Sequence, residues 1–178
     1  MRFNNYLKER VEGDDVASFV TKWKTKLATY GVTNFEASTH WIRDSLNNKR
    51  NNPPITLKEL NFILEMFLRK MGSQFKTDVE NIKNHIAKKR GLNKQELNNN
   101  EYEYVIKSKS TNIALPIVLK QDFKQKGTAA IVPITVQRKK GYKVNKGIEV
   151  MVEKKEIYEN DYIVIERRVI KNSNGENI

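Results

Sequence analysis

The chain has 178 residues, 38% of them hydrophobic and 30% charged, and 33 Lys and Arg against 21 Asp and Glu give a formal net charge of +12. This length suits one domain with a core of its own, and the absence of cysteine excludes disulfides, thiolate metal sites and cysteine nucleophiles. No apolar run approaches the roughly 20 residues that cross a membrane, and the N-terminus has no signal-peptide core. The composition predicts a soluble protein from a reducing compartment, with a polyanion as its partner.

The positive charge is concentrated in the middle of the chain. Between Tyr104 and Lys146 ten basic residues face one acidic residue, which gives +9, whereas from Gly147 to the end five basic residues against seven acidic ones give −2. The abundance of Lys, Asn and Ile could reflect an A/T-rich genome, but that bias would not confine the charge to one segment. The distribution favours a face that binds phosphates, with nucleic acid as the first candidate partner.

The N-terminal part predicts a helix and a short strand after a leader over residues 1–13. The helix should begin at Asp14 and Asp15, whose carboxylates suit exposed N-terminal amides, and an apolar stripe at helical spacing follows. Gly31 predicts the C-terminal stop of this helix, and residues 32–37 then predict a short strand.

Further helices are predicted on both sides of a proline break. One should begin near His40, with Ser38 or Thr39 as its cap. The sequence Asn51-Asn52-Pro53-Pro54 then breaks the chain. It is followed by Thr56-Leu57-Lys58-Glu59, which predicts a capping box, because the threonine hydroxyl and the glutamate carboxylate can each satisfy an orphan amide.

Two consecutive helices are predicted after the capping box. The first carries apolar residues at helical spacing and should end at Gly72. The second spans about 76–90, with basic residues in its last turn, and Gly91 should stop it. Residues 92–100 predict an exposed linker.

From residue 102 the apolar pattern changes to a period of two, which predicts strands. The alternating residues of three strands are Tyr102, Tyr104 and Ile106, then Ile113, Leu115, Ile117 and Leu119, then Ala130, Val132, Ile134 and Val136. Pro116 and Pro133 indicate edges or bulges, because each removes a ladder donor. Runs over 148–152 and 162–170 predict a C-terminal hairpin around Glu159-Asn160-Asp161.

These elements together predict an α+β fold, in which N-terminal helices precede an antiparallel β meander and an extra hairpin follows. The predicted organisation is the leader over 1–13, a core domain over 14–146, and a hairpin and tail over 147–178. No internal repeat is present in the sequence.

The sequence has few residues that suit catalysis. It has no glycine-rich phosphate loop, no metal-ligand cluster and no Ser-His-Asp signature, so no cofactor and no metal are expected. One arrangement would suit metal-free cleavage of RNA, with His40, Lys120 and Arg138 removing the 2′-hydroxyl proton, stabilising the phosphorane and protonating the leaving 5′-oxygen. The alternative for His40 is a surface histidine near a helix N-terminus.

Phosphate contact is predicted for cations on the strands and on the connections between them. The set comprises Lys107, Lys109, Lys120, Arg138, Lys139, Lys140 and Lys143. A solvated strand end is the alternative for residues 138–140. Tyr142 could stack on a base, as could Tyr102 and Tyr104, although strand-core packing is the simpler explanation for the last two.

The order of strand, His-bearing helix, second helix and basic meander resembles the small RelE-type mRNA-cleaving toxins and the RegB-type phage endoribonucleases. The local match is Ser38-Thr39-His40-Trp41-Ile42-Arg43-Asp44, then residues 60–70, then the strands up to Lys140. It covers about residues 32–140. The resemblance implies a RelE/RegB-like fold and metal-independent cleavage of mRNA.

The resemblance extends to one catalytic position and departs at two others. His40 matches a functional histidine of the RegB-like proteins. A second family histidine would fall near Leu68, and an arginine usually found four residues after the first histidine is Asp44 here. The resemblance therefore implies a retained fold with altered or lost cleavage.

The leader resembles the capsid-targeting peptides of large myovirus-type phages. In Phe3-Asn4-Asn5-Tyr6-Leu7-Lys8-Glu9 two aromatic residues lie three apart, an aliphatic residue follows, and a glutamate ends the segment. This resemblance implies packaging in the phage head, with cleavage after Glu9. The alternative is an amphipathic first helical turn that docks on the domain.

Together these observations predict a phage-encoded basic protein that binds DNA or RNA and is packaged in the virion head and delivered with the genome to the host cytoplasm. One alternative is a metal-independent endoribonuclease that acts on mRNA. A second is a protein-protein inhibitor of a host enzyme, whose acidic surface would meet the basic face. A phage head protein or a host protein is a further candidate partner, and no membrane partner is expected.

Overall fold

A computed structural model describes residues 13–37, 41, 51–88, 101–122, 124, 125, 127–157 and 160–169. In chain order the elements are α1 (Gly13–Ala28), β1 (Val32–Phe35), α2 (Leu57–Lys88), β2 (Tyr102–Ser108), β3 (Ile113–Gln121), β4 (Ala129–Pro133), β5 (Gln137–Arg138), β6 (Ile148–Ile157) and β7 (Asn160–Val169). The protein is therefore α+β, as the sequence predicts. The first twelve residues of the predicted leader, the predicted helix start at His40 and the predicted linker over 92–100 lie outside the described residues.

The first helix and strand form where the sequence predicts them. Trp23 on the apolar stripe of α1 is fully buried, and Phe19 meets Phe35 of β1 with ring centroids 6.3 Å apart. Trp41 packs on the same two phenylalanines, with centroids 6.4 Å away, and is thus a core aromatic residue. The chain leaves α1 through Gly31, whose φ of 86° lies in the left-handed region that favours glycine.

The capping box forms as predicted, but one helix follows it instead of two. The Thr56 amide donates to Glu59 Oε2 over 2.9 Å, and the Glu59 amide donates to Thr56 Oγ1 over 3.2 Å. α2 then continues through Gly72, so the predicted stop there is wrong. A β-carbon at Gly72 would lie 3.0 Å from Cε1 of Tyr30. This glycine therefore serves close packing against the Tyr30 ring, at a cost in helix propensity of about 1 kcal/mol relative to alanine.

The sheet is mixed, with the strand order β1-β4-β3-β2-β6-β7 and β5 paired to β3. β2, β3 and β4 pair antiparallel, as do β6 and β7, but β1 joins β4 and β6 joins β2 in parallel. The predicted antiparallel meander is therefore not confirmed, because the sheet is mixed. A period-two pattern predicts which residues of a strand are buried, but it does not predict which strands pair with each other.

The predicted C-terminal hairpin is an integral part of this sheet. β6 places Ile148, Val150 and Val152 in the hydrophobic core that the helices cover. Strand pairing with β7 extends to Asn160 and Asp161, which the sequence predicts in the turn. The boundary predicted at residue 147 thus separates two segments that share one core.

The third predicted strand ends at Pro133, and up to that point Ala129 and Ile131 face the core, whereas further on Val136 of the predicted alternating set lies in the core. Ile131 of β4 lies opposite Leu119 and faces the core, whereas Ile134 beyond the strand end is 50% exposed. Between the pairings of β4 and of β5 with β3, residues 134–136 lie opposite 115 and 116. Pro116 therefore sits beside a bulge, one of the two positions that its missing amide predicts.

Both helices lie on one face of the sheet, where aromatic rings dominate the packing. The Tyr104 ring of β2 meets Phe67 and Phe75 of α2 with centroids 5.3 Å and 6.0 Å apart. Its hydroxyl donates to the carboxylate of Asp78, a buried residue that also accepts a 2.9 Å bond from Gln74. The Tyr104 side chain is thus part of the core, as strand-core packing predicts.

Candidate functional site

The sheet face opposite the helices is crossed by one connection of the described chain. β5 pairs with β3 and β6 pairs with β2, so the chain passes both strands between Arg138 and Ile148. Residues 139–146 make this passage and are called the basic loop, because half of them are lysines. Lys107 identifies the face: it alternates with the core residue Ile106, and its ammonium donates to the Tyr142 carbonyl over 2.8 Å.

Arg138 fixes the start of the basic loop. Its Nε donates to the Pro53 carbonyl over 2.9 Å, and its Nη1 donates to the Thr111 carbonyl over 3.0 Å. Its Nη2 donates to the Pro54 carbonyl over 3.0 Å and lies 2.9 Å from Glu59 Oε2. The side chain is only 12% exposed. Arg138 thus belongs to the framework of the protein, which corrects the phosphate contact and the catalytic role that its charge predicts.

Hydrogen bonds of the backbone also hold the start of the basic loop. Asn51, which is 4% exposed, accepts a 2.8 Å bond from the Arg138 amide and donates to the Val136 carbonyl over 3.3 Å. The Lys139 amide donates to the Asn112 carbonyl over 2.8 Å. Asn112 itself has a φ of 55°, a conformation that asparagine tolerates in tight turns. The loop therefore begins from a rigid support.

The middle and the end of the basic loop are also held. Lys107 lies 3.4 Å from Glu149 Oε1 while it binds the loop carbonyl, and both side chains are mostly buried. Lys146 Nζ lies 2.6 Å from Glu103 Oε1. Gly147 has a φ of 97°, and a β-carbon there would lie 2.7 Å from the Glu103 carbonyl oxygen. Only glycine fits this close approach of two backbones.

The carboxyl of Glu59 reflects the charge of its arginine partner. Burial by itself would raise the pKa of Glu59, but the Thr56 amide and the Arg138 guanidinium outweigh burial and hold the pKa below its ordinary value. The carboxylate is therefore charged at neutral pH and balances Arg138. The pair therefore adds no net charge to the surface.

Four of the predicted cations are exposed and have no partner among the described residues. Lys109, Lys139, Lys140 and Lys143 are exposed, and their ammonium groups make no hydrogen bond or ion pair within the described residues. Lys109 lies in the β2–β3 turn, and the other three lie on the basic loop. We call these four residues the open lysines.

Two cavities flank the basic loop. One has a volume of about 400 Å³ and is lined by Lys107, Lys109, Lys139, Lys140, Tyr142 and Met151, among others. The other has a volume of about 320 Å³ and is lined by Val105, Pro116, Ile134, Tyr142, Lys143 and Asn145, among others. Tyr142 borders both cavities, so the basic loop forms the wall between them.

The predicted catalytic residues do not come together. Arg138 pairs with Ile113 at the start of β3, and Lys120 lies seven residues further along that strand, about 23 Å away at strand spacing. Lys120 also neighbours Glu101, where desolvation raises the carboxyl pKa and the Lys120 charge opposes that rise. His40 lies outside the described residues. Lys120 and Arg138 therefore cannot act on one phosphate, which corrects the predicted catalytic set.

Sequence reasoning missed the residues that support the loop. The capping box already explains Glu59, so nothing in the sequence signalled its second contact with Arg138, 79 residues away. Asn51 belongs to the predicted proline break, and nothing in that pattern predicts its hydrogen bonds to Val136 and Arg138. Glu103 and Glu149 lie within strands and alternate with core residues, a pattern that predicts an outer face but not its ion-pair partners.

Comparison with protein-family models, with curated protein sequences and with solved structures found no match. In the described part of the chain no three His, Cys, Asp or Glu side chains form a group that could hold a metal ion. The helices described here include none that is both long and apolar enough to span a membrane. The site is therefore interpreted from its own geometry.

Proposed function

We propose that this protein binds nucleic acid through the open lysines on the sheet face opposite the helices. The observation that carries the proposal is the contrast among its cations. Arg138, Lys107 and Lys146 have internal partners, whereas Lys109, Lys139, Lys140 and Lys143 have none in the described residues. Lysines concentrated on one preformed surface attract phosphates and release counterions when they bind them.

The support beneath the loop favours binding by a fixed surface. Hydrogen bonds at Lys139, Tyr142 and Arg138, with the ion pair at Lys146, hold the loop before any partner arrives. A partner therefore does not have to order the loop, and less of the interaction energy is lost on binding.

Fluorescence anisotropy with labelled oligonucleotides over a range of salt concentrations tests the proposal. The triple variant K139A/K140A/K143A removes three open lysines and leaves Arg138 in place. We expect weaker binding and a slope of log K against log salt that is shallower by about 2 to 3, because each lost phosphate contact removes about 0.7 to 0.9 from the slope.

The matched control is K24A/K70A/K76A, which removes the same charge from exposed positions on α1 and α2. We expect this control to keep most of the affinity and the slope of the wild-type protein. Equal losses in the two triple variants would show that only net charge matters. Unchanged binding by K139A/K140A/K143A would overturn the proposed site.

An acidic protein partner is the alternative class for the same surface. Polyglutamate and an unlabelled oligonucleotide of equal charge can compete for the bound labelled probe. If polyglutamate competes equally well, the surface recognises negative charge in general and the protein-inhibitor alternative gains support. We expect the oligonucleotide to compete better, because phosphates and bases both meet the surface.

The endoribonuclease alternative has less support than binding. A RelE/RegB-like fold remains a proposal, supported by the order of α1, β1 and α2 before the antiparallel pairing of β2, β3 and β4. The catalytic arrangement would have to rely on His40 without Arg138. Incubation of wild-type protein and His40→Ala with messenger-like RNA in EDTA tests it, and equal absence of cleavage in both would end the enzyme hypothesis.

Packaging in a phage head depends on residues that lie outside the described chain and stays a prediction. Mass spectrometry of virions would detect the mature N-terminus. A start at Arg10 is the expected result for a cleaved targeting peptide. Intact Met1 in virions would contradict cleavage.

A further inference from the structure

The surface around the basic loop is not flat, because two cavities lie beside Tyr142. Lys107 and Lys109 line the larger one, and Glu103 and Val105 line the smaller one. Lys107 lies four positions after Glu103 on β2, which is about 13 Å at strand spacing. The cavities therefore lie side by side along the strand, with the basic loop between them.

The larger cavity combines apolar and cationic groups. The side chains of Met151 and Tyr142 supply apolar and aromatic surface, and Lys109, Lys139 and Lys140 supply three ammonium groups that have no partner among the described residues. Asn112 adds a side-chain amide, which can donate and accept hydrogen bonds. A flat heterocycle with an attached phosphate matches this combination, since its ring needs apolar contact and its phosphate needs cations.

The smaller cavity has one open lysine, whereas the larger one has three. Val105, Pro116 and Ile134 line it, and Ile134 is 50% exposed. Lys143 lines the same cavity and has no partner in the part of the chain that the structure describes, and Asn145 supplies an amide. Lys146, by contrast, is neutralised by Glu103. This side therefore suits a base more than a second phosphate.

From these features, and resting on the proposed function, we infer that the partner is single-stranded nucleic acid, with one base entering each cavity on either side of Tyr142 and the backbone following the open lysines. Volumes of about 320 and 400 Å³ are on the scale of pockets that hold small ligands. Bases of a duplex are stacked and paired inside the helix and cannot enter such cavities. A duplex would meet the lysines alone.

Tyr142 is the residue that distinguishes the two kinds of partner. It is half-buried and borders both cavities, and its hydroxyl has no hydrogen-bond partner in the described chain. Its ring can therefore stack on a base, a contact that tolerates any base because every base has an aromatic face. The open lysines do not distinguish a single strand from a duplex, because both carry phosphates.

Anisotropy titrations with labelled oligodeoxythymidine, oligouridine and a duplex, each about twelve units long, test the inference at one salt concentration. We expect at least one single strand to bind about tenfold more tightly than the duplex. Tyr142→Ala should weaken single-strand binding about tenfold and leave duplex binding nearly unchanged, because only the stacked base is lost. Tyr142→Phe keeps the ring and should bind single strands as the wild-type protein does.

The outcomes separate this inference from the proposed function. Equal binding of single strands and duplex, with no effect of Tyr142→Ala, would overturn the single-strand inference and keep the lysine surface. Binding of no oligonucleotide at all would overturn both. Circular dichroism of Tyr142→Ala and Tyr142→Phe checks that both variants are folded, and the two single-strand arms show whether DNA or RNA is preferred.

Discussion

Arg138 and Lys139 are neighbours in the sequence with the same charge, but the structure uses them differently. Arg138 is 12% exposed and bonds to three carbonyls and to Glu59, whereas the Lys139 ammonium is exposed and has no partner in the described residues. The geometry of the two side chains explains the division. A guanidinium is a rigid fork that several fixed acceptors can satisfy at once, whereas an ammonium is a flexible, hydrated point charge.

A count of charges in the sequence therefore overestimates the number of cations that the folded protein leaves without an internal partner. Of the seven predicted phosphate contacts, Arg138 and Lys107 hold the loop in place, and Lys120 neighbours Glu101 at the distant end of β3. Four remain available. Stability should therefore depend on the supports of the basic loop, and binding should depend on the open lysines.

The largest expected effect is at the end of the loop. Gly147→Ala should destabilise the protein by about 3 kcal/mol, because the added carbon meets the Glu103 carbonyl at 2.7 Å in a conformation that disfavours side chains. Gly141→Ala is the matched control, since its φ is also positive, at 68°, but nothing lies within 4 Å. We expect the control to cost about 1 kcal/mol in urea denaturation. Equal costs would show that backbone conformation alone matters.

The next effect is at the start of the loop. Arg138→Ala should cost about 2 kcal/mol, less than for a fully buried pair because Glu59 is 27% exposed. Arg138→Lys should recover less than half of this, because one ammonium cannot reach all the acceptors. Lys139→Ala should change the free energy of unfolding by less than about 0.5 kcal/mol. A large loss of stability in Lys139→Ala would remove the distinction between support and surface.

Glu59 should give the arginine contact a pH dependence. The pKa of Glu59 is lowered in the folded protein, so its contribution is present above the pKa of the unfolded chain and is lost as the pH falls through the lower folded value. Glu59→Gln should cost about 1 kcal/mol at neutral pH. Its stability should also fall less steeply than that of the wild-type protein below about pH 4.3. Parallel pH curves for the two proteins would contradict a role for the charged pair.

The smallest effect is expected at an ion pair between the helices. Glu65 lies 3.2 Å from Lys26 and 3.5 Å from Lys22, and all three side chains are about a third to a half exposed. Glu65→Gln should cost no more than about 0.5 kcal/mol, and added salt should reduce the difference further. A cost comparable to that of Arg138→Ala would mean that exposure does not separate the two pairs.

Several local features could be predicted because they depend on residues close in sequence. The capping box of Thr56 and Glu59 satisfies amides within one helical turn, and Gly31 ends α1 by its own backbone conformation. The predicted helix end at Gly72 is wrong, because a glycine can either end a helix or allow a neighbouring ring to pack closely against it. Tyr30, which lies 42 positions earlier, decides between these outcomes.

The α+β class, α1, β1, the irregularity at Pro116 and the concentration of lysines between β2 and β6 could all be predicted from the sequence, whereas the continuity of α2 through Gly72 and the end of β4 at Pro133 could not. The predictable features follow from periodicity, local hydrogen bonding and composition. Only the tertiary structure decided that β1 and β6 pair in parallel, that Arg138 and Glu59 meet, and which lysines remain open. Strand pairing depends on burial and geometry across the whole chain, so a short segment cannot specify it. The partners of a charged side chain also come from distant segments, and the sequence around that residue does not predict them.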